Sequence, residues 1–457
     1  MNPVPRRRRG GRSRWVTVVC GAVFAVASGV AMSLGPVLPA VAADYDRDTG
    51  LATFDETWRI VQETYYDTTF GGLDWTAMRD RYRPRAEAAG DNGSLRGVVR
   101  EMLARLGDSH FALIEGSAAD ARDRAARRDR SGDAGLEVRL VNGEPMVTRV
   151  EPDRGAAKAG VRAGWTVRAI DGVPVEEILG RVPTGLSSSN TELEELLELW
   201  RALLGAPGSE AMLLLRDETG EETLYKAART PSPGELFRLG ALPAFRSHLQ
   251  VSVAPTPAGH RAAVFRYNVW TLPIIRGLDQ AVDTLRTVDG WVFDLRGNLG
   301  GIAQMVMGIS GHILDEPLSL GSIVSRKNKL ELRANPRRVS AGGERVTPFA
   351  GPVAILVDQL TYSASELFAA GLQDLGRARV FGVTTLGGVL AASFTRLPNG
   401  DLLEHPVADY LTPSGIRVEG RGVIPDAIVP PDRARLLEGR DPVLEEALHW
   451  IEEESTP

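Results

Sequence analysis

The sequence predicts an α/β protein of layered strands and helices, preceded by a helical region and interrupted by a strand-rich insert. Three observations lead there. Short apolar or β-branched runs at 262–265, 291–295, 353–357 and 379–383 alternate with helical stretches at 274–285 and 363–375, as in an α/β layer architecture. Upstream, Phe54, Trp58, Val61 and Tyr65 recur at three- and four-residue spacing, the period of one helix face. Between them, runs at 137–140 and 145–150 are split by Asn142-Gly143, a turn pair suited to a hairpin.

Taken in order, the chain opens with Arg6 to Arg9, Arg12 and Arg14, then an apolar stretch from Trp15 to Ala43 that ends in Ala40-Val41-Ala42-Ala43. This is the layout of a secretory signal cleaved near Ala42 or Ala43. An uncleaved segment would instead tether the chain to a membrane through residues 15–43, since roughly 20 apolar residues span a bilayer. Either way the remainder is expected to work outside the cytoplasm, whether periplasmic or secreted. Residues 44–116 form the helical domain, where Ser94 can cap a helix carrying Val98, Met102 and Leu106. Residues 117–133, dense in Arg, Asp and Ala, read as a charged connector. The insert covers 134–230. Its helical run at 191–204 places Leu193, Leu196, Leu197, Trp200 and Leu203 on one face, which marks a packed helix rather than a cofactor box. The α/β core covers 235–432, and 433–457 adds an amphipathic helix at 442–453.

Composition narrows the function. With 457 residues, 43% hydrophobic and 25% charged, the chain can bury the cores of two or three domains. A net charge of −6 with no basic domain past the first fifteen residues argues against nucleic acid as a partner. The single cysteine, Cys20, excludes an intramolecular disulfide. Lysine is scarce, at Lys158, Lys226, Lys327 and Lys329 alone.

Two stretches could carry chemistry. The run 352–357 leads through Asp358-Gln359-Leu360-Thr361-Tyr362 into Ser363-Ala364-Ser365-Glu366 at the start of a helix. A serine there can simply cap the helix. A hydroxyl at such a junction also sits where free N–H groups and the helix dipole stabilise negative charge, as a nucleophile requires. The second stretch, Asp294-Leu295-Arg296-Gly297-Asn298-Leu299-Gly300-Gly301, is either a tight turn or a place where the backbone approaches a ligand.

Asp-x-Arg-x-Asn-x-Gly-Gly at 294–301, Val-Asp-x-x-Thr-x-Ser-Ala-Ser-Glu at 357–366 and Gly-x-Gly-Val-x-Pro-Asp at 420–426 together resemble the C-terminal-processing (tail-specific) serine protease family. Ala156-Ala157-Lys158-Ala159-Gly160 with Ile170-Asp171-Gly172 is similar to the PDZ signature these proteases carry. The resemblance implies a crotonase-like catalytic core, a PDZ-like insert, no metal or organic cofactor, and Ser363 as nucleophile. It also implies an oxyanion hole from the N–H of Ala364 and of Gly300 or Gly301, each donor worth roughly 3 kcal/mol of barrier.

The base follows from a departure. One branch of the family uses a lysine in a Phe-Gly-Lys-Gly segment, where this chain has Leu386-Gly387-Gly388-Val389, and no lysine follows Lys329. The chain is instead similar to the tricorn-core branch, which takes a Ser-His pair from the helical region and a glutamate before Gly-x-Gly-Val-x-Pro-Asp. Here these are Ser109, His110 and Glu419, with His110 as base, near its ordinary pKa of ~6.5, and Ser109 and Glu419 as its relay. The PDZ likeness implies that Gly135, Leu136 and Glu137 present N–H groups to the terminal carboxylate of a polypeptide tail, beside an edge strand. Gly164-Trp165-Thr166-Val167 replaces the usual Gly-Asp-x-Ile and bears on the ligand preferred. The expected activity is endoproteolysis of unfolded or tail-bearing polypeptides. The rivals are an inactive peptide-binding scaffold of the same fold and, less in keeping with the leader and insert, a crotonase-like acyl-CoA enzyme.

Overall fold

The computed structural model describes residues 45–116, 131–182, 186–238 and 245–455. The predicted signal or anchor and most of the charged connector lie outside these residues.

Helices α1 (Arg47–Thr64), α2 (Trp75–Glu87) and α3 (Asn92–Ala104) close on a shared core of Phe54, Val61, Tyr65, Trp75, Leu95, Val99 and Met102. The N-cap of α3 is Asp91, whose carboxylate accepts from the Ser94 N–H at 2.7 Å, rather than Ser94 itself. Aspartate accepts this bond as well as serine does, so the helix begins three residues earlier than the serine suggests. Beyond α3 the chain turns at Gly107 (φ 75°), a backbone state open to glycine at little cost, and runs through Asp108 to His110 into β1 (Ala112–Ile114).

The insert is an antiparallel sheet built on β2 (Leu136–Val141), β3 (Glu144–Val150), β4 (Thr166–Ile170), β5 (Glu210–Arg216) and β6 (Glu222–Ala228), hydrogen-bonded in that order. Asn142 and Gly143 both take positive φ in the β2–β3 turn, matching the turn type expected of Asn-Gly. Helix α4 (Ser188–Leu203) packs Leu199 and Leu203 into this core.

The remaining chain forms two sheets. In the first, β7 (Leu249–Pro255) runs antiparallel to β8 (Arg261–Tyr267), and β9 (Gly290–Asp294), β12 (Val353–Val357), β13 (Arg379–Gly382) and a short strand at Ala427–Ile428 continue it in parallel. Strands β9 and β12 are buried at every residue, as expected of a parallel sheet covered on both faces. Helices α5 (Leu272–Thr284), α6 (Gln304–Ser310) and α7 (Ala364–Asp374) contribute Leu278, Val306 and Phe368 to the core on one face. The other face is closed by the C-terminal helix α8 (Pro442–Ser455), with Val443, Ala447 and Ile451 on Val292, Ala354 and Phe381. The terminal helix is thus part of the core rather than an appendage to it.

The second sheet was not legible as strands. It comprises β10 (Leu318–Ser325), β11 (Lys329–Ala334), β14 (Ala391–Arg396) and β15 (Leu402–Leu411), and β1 from the helical domain pairs with β15. The pairing of Ala112 with Glu404 and of Leu113 with Leu403 sews the helical domain to the core and brings His110 alongside it. Among the described residues no helix is long and apolar enough to cross a membrane.

Candidate active site

Four segments meet where the sequence motifs predicted a catalytic centre. Ser363 lies between β12 and α7 with φ 55° and ψ −120°, a backbone state rare outside glycine. Such strain costs about 1–3 kcal/mol and persists only where surrounding bonds enforce it. Those bonds are present: the Ser363 N–H donates to the Gly388 carbonyl at 3.0 Å and to Glu366 at 3.0 Å. Glu366 also accepts from the N–H groups of Gly387 and Gly388 and from the Thr385 hydroxyl. Burial pushes its carboxyl up to about 7 despite these donors.

The two serines of the motif are not equivalent. Ser365 Oγ is engaged twice, donating to the Asn298 carbonyl at 3.1 Å and accepting from Trp270 Nε1 at 2.9 Å. Ser363 Oγ is buried with no partner at good hydrogen-bond geometry, and of the capping-box arrangement with Glu366 the bond that is well formed is the one from the Ser363 N–H to the Glu366 carboxylate. A buried hydroxyl without a partner costs about 1–3 kcal/mol and calls for an explanation.

His110 comes from the turn before β1, again at positive φ (59°). Its Nδ1 lies 2.6 Å from Ser109 Oγ, and Ser109 Oγ donates to Glu419 Oε2 at 3.0 Å. Glu419 further accepts from the Ser109 N–H at 2.8 Å and the Val389 N–H at 2.8 Å. With Glu419 as the carboxylate, the Ser109 hydroxyl donates to it and accepts from Nδ1–H, which places the lone pair of His110 on Nε2. That Nε2 is buried and has no partner. Burial drives the imidazole down to about 4 and the Glu419 carboxyl up to about 8. The imidazole is therefore more firmly neutral than an exposed histidine, a difference the sequence could not show. The turn itself is held from the segment just after α1, where the hydroxyls of Tyr65 and Tyr66 both donate to Asp108.

Gly300 (φ 97°) packs so closely on Ser363 that a side chain there would strike the serine Cβ and the Tyr362 carbonyl. Its N–H is already given to Asn298 Oδ1 at 3.0 Å. Of the two glycines expected to donate to an oxyanion, Gly301 retains the open N–H, because Trp270 exchanges its bonds with Gly300 O and Ile302 N instead. Ala364, the first residue of α7, has no intrahelical acceptor for its N–H.

The residues expected to bind a peptide tail lie apart from this centre. The Gly135 N–H donates to Asp133 at 2.9 Å, so that position of the proposed carboxylate loop is filled by a carboxylate of the chain itself. Leu136 is paired opposite Val150 in β2, and the Glu137 side chain bonds Arg266 at 2.7 Å. Strand β2 is nevertheless the edge of its sheet. Its Arg139 reaches the core at Asp358, 2.7 Å away. A cavity of about 570 Å³ lies between insert and core, lined by Arg139, Arg149, Arg266, Arg296 and Asp441, and Ser363 is not part of its wall.

Sequence reasoning missed three residues here. Tyr362 stacks its ring on the His110 imidazole, with centroids 5.3 Å apart and planes at 18°. Glu366 ties nucleophile and loop together as described. Glu404 is fully buried with both carboxyl oxygens unpartnered, and burial holds its pKa well above the carboxylate range. A bulky residue at 362 facing glycine at 388 was the available signal for the first. All four lysine side chains are exposed.

Residues 262–429 match the model of Peptidase family S41, and residues 51–104 that of the Tricorn protease C1 domain. A carboxyl-terminal-processing protease of Picosynechococcus sp. is 29% identical over 402 residues, covering 87% of this chain and 86% of that protein. Tricorn protease homolog 1 of Streptomyces coelicolor is 26% identical over 404 residues, 86% of this chain but 34% of that longer protein. Among solved structures, a photosystem II D1 C-terminal processing protease superposes with a TM-score of 0.57 at 24% identity, over 84% of this chain and 94% of that one.

Proposed function

We propose that this serine-type peptidase, whose residues 262–429 match peptidase family S41, is an extracytoplasmic endopeptidase in which Ser363 attacks and His110 is the base. The observation that carries this reading is the pair of buried, unpartnered atoms at its centre, Ser363 Oγ and His110 Nε2, with Nδ1 of the same ring held through Ser109 by Glu419.

In the proposed reaction Nε2 takes the Ser363 proton as Oγ bonds to the scissile carbonyl carbon. The oxyanion is met by the N–H groups of Ala364 and Gly301, and the imidazolium returns the proton to the departing amine. Water then adds to the acyl-enzyme by the same route and releases the new carboxyl terminus. Ser109, itself held by Glu419, keeps the Nδ1 side of the ring in place as the imidazolium forms in each half-reaction. Because Ser363 is 1% exposed, substrate reaches it only after part of its cover moves.

The substrate class proposed is an unfolded or tail-bearing polypeptide. An edge strand β2 with α4 beside it supports recruitment of a tail by strand addition, as in a PDZ-like module. A terminal carboxylate arriving at Gly135 would displace that of Asp133. The leader from Arg6 to Ala43 supports export, with periplasm or secretion as the destination. An inactive scaffold is the competing reading, and a fluorophosphonate probe separates the two. Wild type should label and cleave an unfolded protein, while Ser363→Ala should do neither, a loss of several orders of magnitude. Turnover by Ser363→Ala comparable with wild type would end the assignment.

A further inference from the structure

Position 388 is glycine where a lysine-dependent relative would carry its base, and the space above it is not empty. A Cβ built on Gly388 would overlap the Cε2, Cζ and hydroxyl of Tyr362. The phenol ring therefore fills the room that the first atoms of a lysine side chain would need. The same ring lies against His110 in an offset stack, 5.3 Å between centroids, a separation at which aromatic faces attract. Its backbone leaves little freedom: the Tyr362 N–H donates to the Asn298 carbonyl at 3.0 Å, and its carbonyl accepts from the Ser365 N–H at 3.2 Å. The hydroxyl faces Ser109, the residue that holds Nδ1.

We propose that Tyr362 is a positioning residue for the serine–histidine pair: its ring walls the imidazole on one face, takes the place vacated by the lysine, and keeps Nε2 directed at Ser363. This rests on the reading of Ser363 and His110 given above. In this chain the ring at 362 and the glycine at 388 depend on each other, since any side chain at 388 would overlap the ring. A ring so placed also keeps water from the imidazole. Burial, with Glu419, Glu366 and Glu404 nearby, keeps the phenol protonated, so the wall carries no charge. These three carboxyls act on the phenol, and Asp108, next in the chain to the Ser109–His110 pair, is engaged by Tyr65, Tyr66 and Arg417.

The test measures kcat, KM, the acid limb of kcat and the fluorophosphonate labelling rate, with melting temperature as a check on folding. Tyr362→Phe keeps the ring and should stay within about fivefold of wild type, whereas Tyr362→Leu should lose kcat by about 10²-fold, in the range of a misaligned base. KM should move little, and the acid limb should shift to higher pH as water reaches the imidazole. Gly388→Ala should be as damaging as Tyr362→Leu in wild type, yet add nothing in a Tyr362→Ala background, because the collision is then gone. An unaltered kcat and acid limb in Tyr362→Leu would overturn the proposal. So would a Gly388→Ala loss of equal size in both backgrounds, which needs no comparison of folding between chemically different variants. Ser363→Ala and His110→Ala run alongside: activity in either would undo the underlying assignment instead.

Discussion

Burial shifts both His110 and Glu419 towards their neutral forms. Histidine has its pKa lowered to about 4, so the folded protein resists taking a proton that the unfolded chain accepts near 6.5. Its contribution to stability is present above 6.5 and is lost as pH falls towards 4. Glu419 is raised to about 8, so its contribution runs the other way, present below the ordinary carboxyl value near 4.3 and lost as pH rises to 8. Glu419→Gln should therefore flatten the decline in denaturation midpoint between pH 5 and pH 8. The same variant should lower kcat by about 10²-fold, less than loss of His110, since it weakens the relay without removing the base. An unchanged midpoint slope together with unchanged kcat would refute this account of Glu419. That the segments of Ser363, His110 and Glu419 come together was expected because each sits inside a motif of the resemblance, taken in order along the chain. Tyr362 and Glu404 were not legible, because their roles depend on what faces them across 26 positions in the first case (362 to 388) and on the register of β15 in the second.

At the scale of elements, strands β8, β9, β12 and β13 and helices α5 and α7 were readable to within about two residues, since continuous apolar runs and 3.6-residue periodicity survive without context, whereas β7, α6 and the strand at Ala427–Ile428 were not. The second sheet was hidden. Strand β10 contains Ser319, Gly321 and Ser322, and β15 carries Glu404, His405 and Asp409, compositions that local propensity does not assign to strands. They are strands because the helical domain covers one face: His405 sits between the Thr64 and Thr395 hydroxyls at 3.1 and 3.0 Å. The terminal helix shows the converse, a correctly placed element with an unread purpose. Ile451 is 0% exposed against the sheet, directly over Gly290. Ile451→Ala should cost about 2–5 kcal/mol of stability, read as a lower urea midpoint, while kcat on the folded fraction stays near wild type. A midpoint equal to that of wild type would mean that α8 does not share the core.

Across the whole molecule, charged side chains join insert to core. Arg266 bridges Glu137 of the insert at 2.7 Å and Asp294 of the core at 2.5 Å, while Arg296 binds Asp294 and Asp441. Arg266→Met removes one cation from Glu137 and Asp294 but leaves Arg139 and Arg149 beside the first and Arg296 on the second, so it should destabilise by about 1–3 kcal/mol; a denaturation midpoint at or above wild type would contradict that. The proposed catalytic centre has the same distributed origin, with Ser109 and His110 from the helical domain, Ser363 from the core and Glu419 from its last loop. Such an arrangement works only if the domains are docked, and it leaves no part for a lysine. The most direct test replaces Lys158, Lys226, Lys327 and Lys329 together by arginine and compares that protein with His110→Ala for fluorophosphonate labelling of Ser363. The lysine-free protein should label and cleave at the wild-type rate, and His110→Ala should do neither. Labelling by His110→Ala alongside a dead lysine-free protein would contradict the assignment of the base.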